Sequence, residues 1–287
     1  ALFGISQKKG YEMKIPPPPG LVDGDLKVLG HYSNQIPIER YDYALGCFKI
    51  TSKYLSTKEM NKLSIFKKNQ YELKNKIWKK SIIKYNYFET SFNFNPTIFE
   101  ISDDTNIDGY FQSEKYFEHC KNEIREQFIV QDIYNDEARG VLKKYKNISK
   151  NIISLHVRRL GHEKIEQQKV HKYPSQKYYK NAIKYFEGIF SDVIFLFFSD
   201  DISWCKKNFS KKNVFFIEGN SAIIDFTLMS KCDHNVITPS SFSWWASWLN
   251  RNKKKIIIMP EGRLFGIDGP NQIDDYLFNG IKRISVD

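Results

Sequence analysis

The chain has 287 residues, 41% of them hydrophobic and 15% aromatic, with a formal net charge of +11 and a pI near 9.2. This allows one large domain or two of ordinary size and excludes a disordered chain. The excess of cations calls for an anionic partner: a nucleic acid, an anionic membrane surface or a small phosphorylated ligand.

No apolar run is long enough to span a bilayer, and no leader peptide is visible, although the opening Ala1 without a Met points to sequence missing upstream. Pro16 to Pro19 form a proline run, read as a stiff surface loop or as a peptide ligand for a proline-reading domain. Residues 57–80 read as a helix whose lysines make a solvated basic face. Tyr85 to Glu89 and Thr97 to Glu100 read as short strands. From Ser113, a plausible N-cap, the apolar spacing Tyr116, Phe117, Cys120, Ile124, Phe128 predicts a helix. A polar break at Asn147 to Lys150 separates two expected domains, 1–148 and 149–287.

The second half is more regular. Short apolar runs at Ile152–Val157, Val193–Phe198, Val214–Ile217, Asn235–Thr238 and Ile256–Met259 predict strands. Helical patterns at Gln176–Glu187, Asp225–Lys231 and Ser241–Asn250 lie among them. Strands alternating with helices predict an α/β fold with a doubly wound parallel sheet. Polar residues gather at the strand ends: His156, Arg158 and Arg159; Ser199, Asp200 and Asp201; Glu218; Ser240 and Ser241. Ligands bind beyond those ends in such sheets, and this inventory suits a nucleoside diphosphate. The absence of G-x-G-x-x-G and Walker A loops disfavours NAD and ATP.

Arginine forks bind phosphate oxygens in pairs, so Arg158 and Arg159 are candidate anion ligands or, alternatively, a surface ion-pair set. Strand alternation puts His156 and Arg158 on one side and Arg159 on the other. Ser240, Ser241 and Ser243 open a helix whose free N–H groups favour a phosphate; ordinary capping explains the serines equally well. Asp225 reads as a helix cap, or as a carboxylate accepting the paired N–H donors of guanine. Asp200-Asp201 is not a D-x-D metal motif. The four cysteines and six histidines have no zinc-site or H-E-x-x-H spacing, so no metal cofactor is expected. Cys47, Cys120, Cys205 and Cys232 suggest a reducing compartment.

Taken together, His156-Val-Arg-Arg159, Phe198-Ser-Asp-Asp-Ile-Ser-Trp204, Asp225-Phe-Thr-Leu-Met-Ser-Lys-Cys-Asp-His234 and Ser240-Ser-Phe-Ser-Trp-Trp-Ala-Ser-Trp-Leu249 resemble, in order, the α-1,2-fucosyltransferases of glycosyltransferase family eleven. Asp108-Gly-Tyr-Phe-Gln-Ser-Glu-Lys-Tyr-Phe117 resembles the family's first-domain segment. The resemblance implies a GT-B-like fold of two Rossmann-like α/β domains, an acceptor-side domain and a GDP-sugar domain. It implies inverting, metal-independent transfer of L-fucose from GDP-fucose to the 2-hydroxyl of a galactoside. By similarity Arg158 contacts the pyrophosphate, His156 and Asp225 hold the guanosine, and Ser240 and Ser241 lie near the β-phosphate. The family motif continues Arg-Arg-Gly-Asp, whereas Arg159 is followed here by Leu160-Gly161-His162. The family's Gly-Gly-Leu-Gly-Asn-Gln loop is also absent, and Ala1-Leu-Phe-Gly4 looks like sequence just downstream of it.

With the usual acidic residue missing, His162, Glu163, Glu166 and His171 are the neighbouring base candidates. Arg158 and the serine-capped helix would stabilise the leaving diphosphate. A non-catalytic GDP-sugar-binding relative, a different linkage and, on charge alone, a nucleic-acid binder are the competing readings. The Lys-, Asn- and Ile-rich composition points to a microbe or virus, hence to a cytoplasmic enzyme, with peripheral contact to an anionic membrane as a further expectation.

Overall fold

The computed structural model describes residues 1–17, 44–59, 86–90, 93–159, 164, 168–169, 172–262, 264–265 and 274–285. The chain divides into two compact units, Ala1–Ile129 and Val130–Asp287.

In the first unit, α1 (Leu2–Lys9) ends at Gly10, whose φ of 71° closes the helix with a bond to the Ser6 carbonyl. β1 (Lys14–Ile15) pairs in parallel with β2 (Lys53–Tyr54), and β3 (Asn86–Phe88) with β4 (Asn106–Asp108). The expected strand at Thr97–Glu100 is instead a 3₁₀ turn, Pro96–Glu100. Asn95 accepts from the Thr97 N–H and Pro96 presets φ, so local capping outweighs the strand preference of Thr and Phe. Ser113 is a cap, accepting from the Lys115 N–H, but of a 3₁₀ turn, Glu114–Tyr116. The regular helix, α2, starts only at Lys121 and runs to Gln127. Its predicted apolar face is nevertheless buried at Tyr116, Phe117, Cys120 and Ile124. Thr57 to Glu59 are helical; the rest of the 57–80 helix, and Pro18 and Pro19, lie outside the described residues.

The second unit begins with α3 (Asp132–Lys146), which ends where the Asn147–Lys150 break begins. Then follow β5 (Ile152–Val157), α4 (Gln176–Ile189), β6 (Ile194–Ser199), α5 (Ile202–Asn208), β7 (Val214–Phe216), α6 (Ala222–Lys231), β8 (His234–Val236), α7 (Ser241–Leu249), β9 (Ile257–Pro260) and β10 (Ile281–Ile284). All six strands are parallel, in the order β10-β9-β8-β5-β6-β7. This is the expected doubly wound sheet, plus one strand, β10, that the apolar runs did not reveal. β10 is an edge strand with no fully buried residue, so Ile281-Lys-Arg-Ile284 carries no continuous apolar signal.

Alternation divides β5 between two layers. Ile153, Leu155 and Val157 pack with Phe195, Phe197, Val236 and Ile258 against Tyr178, Tyr179, Ala182 and Phe186 of α4. The alternate positions, Ile152, Ser154 and His156, are also buried, on the layer where α3 packs on α6 and α6 on α7. There Asn235 Nδ2 donates to Ser154 Oγ (2.7 Å) and the Met229 carbonyl (2.8 Å). Asn250 Nδ2 donates to Asn235 Oδ1 and the Cys232 carbonyl, both at 2.8 Å.

Candidate functional site at the reversal of strand order

From β5 the chain moves outward to β6 and β7, then returns to lay β8 on the other side of β5. The connections therefore leave β5 and β8 in opposite directions, which opens a crevice beyond their carboxyl ends. Three pieces of chain meet there. The His156 ring, at the end of β5, lies 5.6 Å from the Phe242 ring in the first turn of α7. Phe242 lies 5.5 Å from Phe226, in the first half of α6 next to Asp225. The histidine–arginine tip and the start of the serine–tryptophan helix therefore share one place.

His156 is buried, and among the described residues its Nδ1 has no hydrogen-bond partner. Burial pushes its pKa down to about 4, so the imidazole is neutral near pH 7. A buried polar atom without a partner is costly, which makes His156 a candidate for a ligand contact.

The adjacent arginines diverge in role. Arg158 Nη1 lies 2.9 Å from Asp200 Oδ2, and its side chain is 44% exposed. Arg159 is only 15% exposed: its Nε is 3.3 Å from Asp201 Oδ2 and its guanidinium carbon 4.2 Å from the Trp204 ring centroid. Arg159 is thus clamped to α5, and Arg158 is the one whose guanidinium reaches solvent. Asp200 binds both, because its Oδ1 also accepts from the Arg159 N–H at 2.8 Å. A carboxylate in that position orients Arg158 and would repel a phosphate. Asp201 caps α5, accepting from the Trp204 N–H at 3.0 Å.

The serines also separate. Ser240 occupies the N-cap of α7 without a side-chain cap bond, and Ser241 is exposed in the first turn. Ser243 is buried and its hydroxyl points inward, 3.4 Å from the carbonyls of Thr238 and Ser240. Ser240 and Ser241 remain at the helix start with its N–H groups; Ser243 serves the turn that builds it.

Asp225 is not a cap. α6 begins at Ala222, with Ser221 in the cap position, which puts Asp225 inside the first turns. Burial raises its carboxyl pKa to about 6, against the opposing effect of a 2.9 Å bond from Asn220 Nδ2 to Oδ1. Asn220 and the clamp residue Trp204 were not anticipated as site residues. Asn220 follows Gly219, whose φ of 79° suits glycine; an Asn just before a helix reads as turn chemistry, and only the folded loop aims it at Asp225. His162, Glu163, Glu166 and His171 lie outside the described residues. Among the described residues no group of three or more His, Cys, Asp or Glu is placed to hold a metal ion, and no helix is long and apolar enough to cross a membrane.

A doubly wound α/β unit with a polar crevice at its switch point defines the class. The chain belongs to glycosyl transferase family 11, whose profile matches residues 27–262. The resemblance drawn from the ordered motifs is thereby borne out. The chain is similar to the alpha-1,2-colitosyltransferase of Escherichia coli, 38% identical over 160 residues, spanning 53% of each protein. It is 30% identical over 239 residues to the O-antigen biosynthesis glycosyltransferase WbnK of Escherichia coli, covering 77% of this chain and 78% of that one. Galactoside alpha-(1,2)-fucosyltransferase 2 of Pongo pygmaeus is 29% identical over 154 residues, 50% of this chain and 44% of that one. The matched region is thus about half the length of the colitosyltransferase and less than half that of the fucosyltransferase. Among solved structures, POFUT1 in complex with GDP superposes with a TM-score of 0.44 at 11% identity, over 89% of this chain and 92% of that one. At that score the likeness is too distant to bear on the chemistry.

Proposed function

We propose that the chain transfers a 6-deoxyhexose, L-fucose or a close relative, from its GDP-sugar to the 2-hydroxyl of a galactoside, with inversion and without a metal ion. The observation that carries this reading is the meeting of the His156–Arg158 tip with the starts of α6 and α7 in the switch-point crevice, within a family 11 chain. Relatives named for α-1,2 transfer support the linkage.

In this reading Arg158 and the N-terminal N–H groups of α7 hold the pyrophosphate. Neutral His156 and the Asp225 carboxylate hold the guanosine. The bond from the anomeric carbon to the β-phosphate oxygen breaks as the galactoside oxygen attacks from the opposite face. The leaving oxygen's growing charge is met by Arg158 and the helix N-terminus. The acceptor proton passes to a base drawn from His162, Glu163, Glu166 and His171, a step typically worth about 10²–10⁴-fold. Binding without turnover would identify the chain instead as a non-catalytic relative.

The 38% identity to a colitosyltransferase favours a second donor, GDP-colitose, which lacks the 3-hydroxyl of fucose. Thermal shift tests the nucleotide: GDP raises Tm, by about 2.7 kcal/mol of stabilisation at a hundredfold excess over Kd, and UDP does not. Equal shifts with both would overturn the reading. Incubating each GDP-sugar with a galactoside, followed by linkage analysis of the product, decides donor and bond.

A further inference from the structure

Asp225 is poorly placed to remain ionised by itself. It lies in the first turns of α6, partly buried, beside Phe226. The described residues give its carboxylate a neutral donor, the side-chain amide of Asn220, at 2.9 Å. Asn220 directly follows Gly219, at φ 79°, in the loop between β7 and the helix.

We infer that Asn220 is a positioning residue that sets the base selectivity of the crevice, by holding the Asp225 carboxylate in the plane and charge state needed to read guanine. The inference rests on the GDP-sugar reading of the site. A carboxylate accepts at both oxygens, through about four lone-pair sites. One bond from Asn220 to Oδ1 fixes its rotation and leaves acceptor capacity for the N1–H and N2–H of guanine, which are parallel donors. Hypoxanthine presents only the first of these, and uracil has no such pair. An amide donor also favours the ionised form, whereas burial favours the protonated one. A protonated carboxyl donates at one oxygen and mismatches a pair of donors.

Among the described residues, Asn220 is the side chain whose hydrogen bond shifts the Asp225 carboxyl. α7, packed on α6, has no ionisable side chain. β5 contributes His156, which burial keeps neutral above about pH 4. α3, the other neighbour, carries Asp132, Asp136, Glu137, Arg139, Lys143, Lys144 and Lys146, with Tyr134 and Tyr145. Glu218, in the Asn220 loop, is engaged with Lys206 at 2.6 Å. The rise at Asp225 is caused by burial, and the bond from Asn220 opposes it.

The test is calorimetric titration of GDP and inosine diphosphate into the wild type, Asn220→Ala and Asp225→Asn, from mildly acid to mildly alkaline pH. The wild type prefers GDP. Asn220→Ala weakens GDP binding by about tenfold, the scale of one hydrogen bond to a charged group, and inosine diphosphate binding less, so the preference narrows. Its loss of GDP affinity on acidification also sets in at higher pH than in the wild type. Retained inosine diphosphate binding shows that the variant is folded. If Asp225→Asn collapses the preference while Asn220→Ala keeps both the preference and the pH profile, Asn220 has no such role. If Asp225→Asn itself keeps the preference, the guanine assignment fails, and the inference falls with it.

Discussion

Two buried polar groups share one face of β5, two residues apart, and they are treated in opposite ways. Ser154 lies in a closed network: Asn235 donates to it and to the Met229 carbonyl, and Asn250 donates to Asn235 and to the Cys232 carbonyl. His156, equally buried, leaves Nδ1 without a partner among the described residues. The first cluster ties β5, β8 and the ends of α6 and α7 into one layer. The second lies at the switch point, with a carboxylate pushed up to about pKa 6 nearby. Satisfied polar groups in a core specify packing, while unsatisfied and charge-strained ones are candidates for ligand contacts.

That contrast can be tested at three positions and by chelation. The largest effect belongs to Arg158, which is half exposed and contributes little to the fold. Arg158→Ala should reduce kcat by about 10²–10³-fold or more, the cost of removing one transition-state donor, with Tm within a degree or so of wild type. Near-normal turnover would remove the arginine from the site.

Asn235→Leu should do the reverse. It leaves Ser154 and the Met229 carbonyl without their donor, and should cost roughly 3 kcal/mol of stability by denaturant unfolding while the surviving folded protein keeps its GDP affinity. Loss of affinity with unchanged stability would show that the network serves the site.

Asp225→Asn should stabilise the ligand-free protein at neutral pH. The folded pKa, about 6, lies above the ordinary value of 3.8, so the proton is bound more tightly in the fold. That contribution is present in acid and is lost as pH rises through 6. Removing the charge recovers roughly 2 kcal/mol near pH 7, after discounting for partial exposure, readable as a higher Tm. His156 has the opposite sign. Its folded value of about 4 lies below the ordinary 6.5, so its stability contribution is present above 6.5 and lost as pH falls towards 4. The variant should therefore lose stability more steeply than wild type between pH 6 and 4; parallel curves would refute both assignments.

The smallest expected effect is that of chelation. Transfer in excess EDTA should proceed at the untreated rate in a fixed-time assay. Strong inhibition would place a metal where Arg158 and the α7 N-terminus are assigned the charge.

Much of the second unit was legible in the sequence, because a strand buried on both faces writes itself as an unbroken apolar run, as in Ile152–Val157 and Ile194–Ser199. The same reasoning failed at Pro96–Glu100, where an Asn cap and a proline outweighed β-branched and aromatic preference, and at β10, an edge strand with Lys and Arg at its centre. The candidate residues could be picked out in the sequence, but their geometry could not. His156, Arg158, Arg159, Asp200, Asp225 and the serines were all visible at strand and helix ends. Nothing in one dimension separated the clamped Arg159 from the exposed Arg158, or the inward Ser243 from the exposed Ser241.

Local pattern alone determined that this chain would build a parallel sheet with polar strand ends, because periodicity and capping act over a few residues. Tertiary structure alone decided the strand order that opens the crevice beside β5, the Trp204 clamp on Arg159 and the bond from Asn220 to Asp225. Each depends on pieces of chain meeting across the fold or around a loop, and side-chain direction, burial and charge state are set only where those pieces meet.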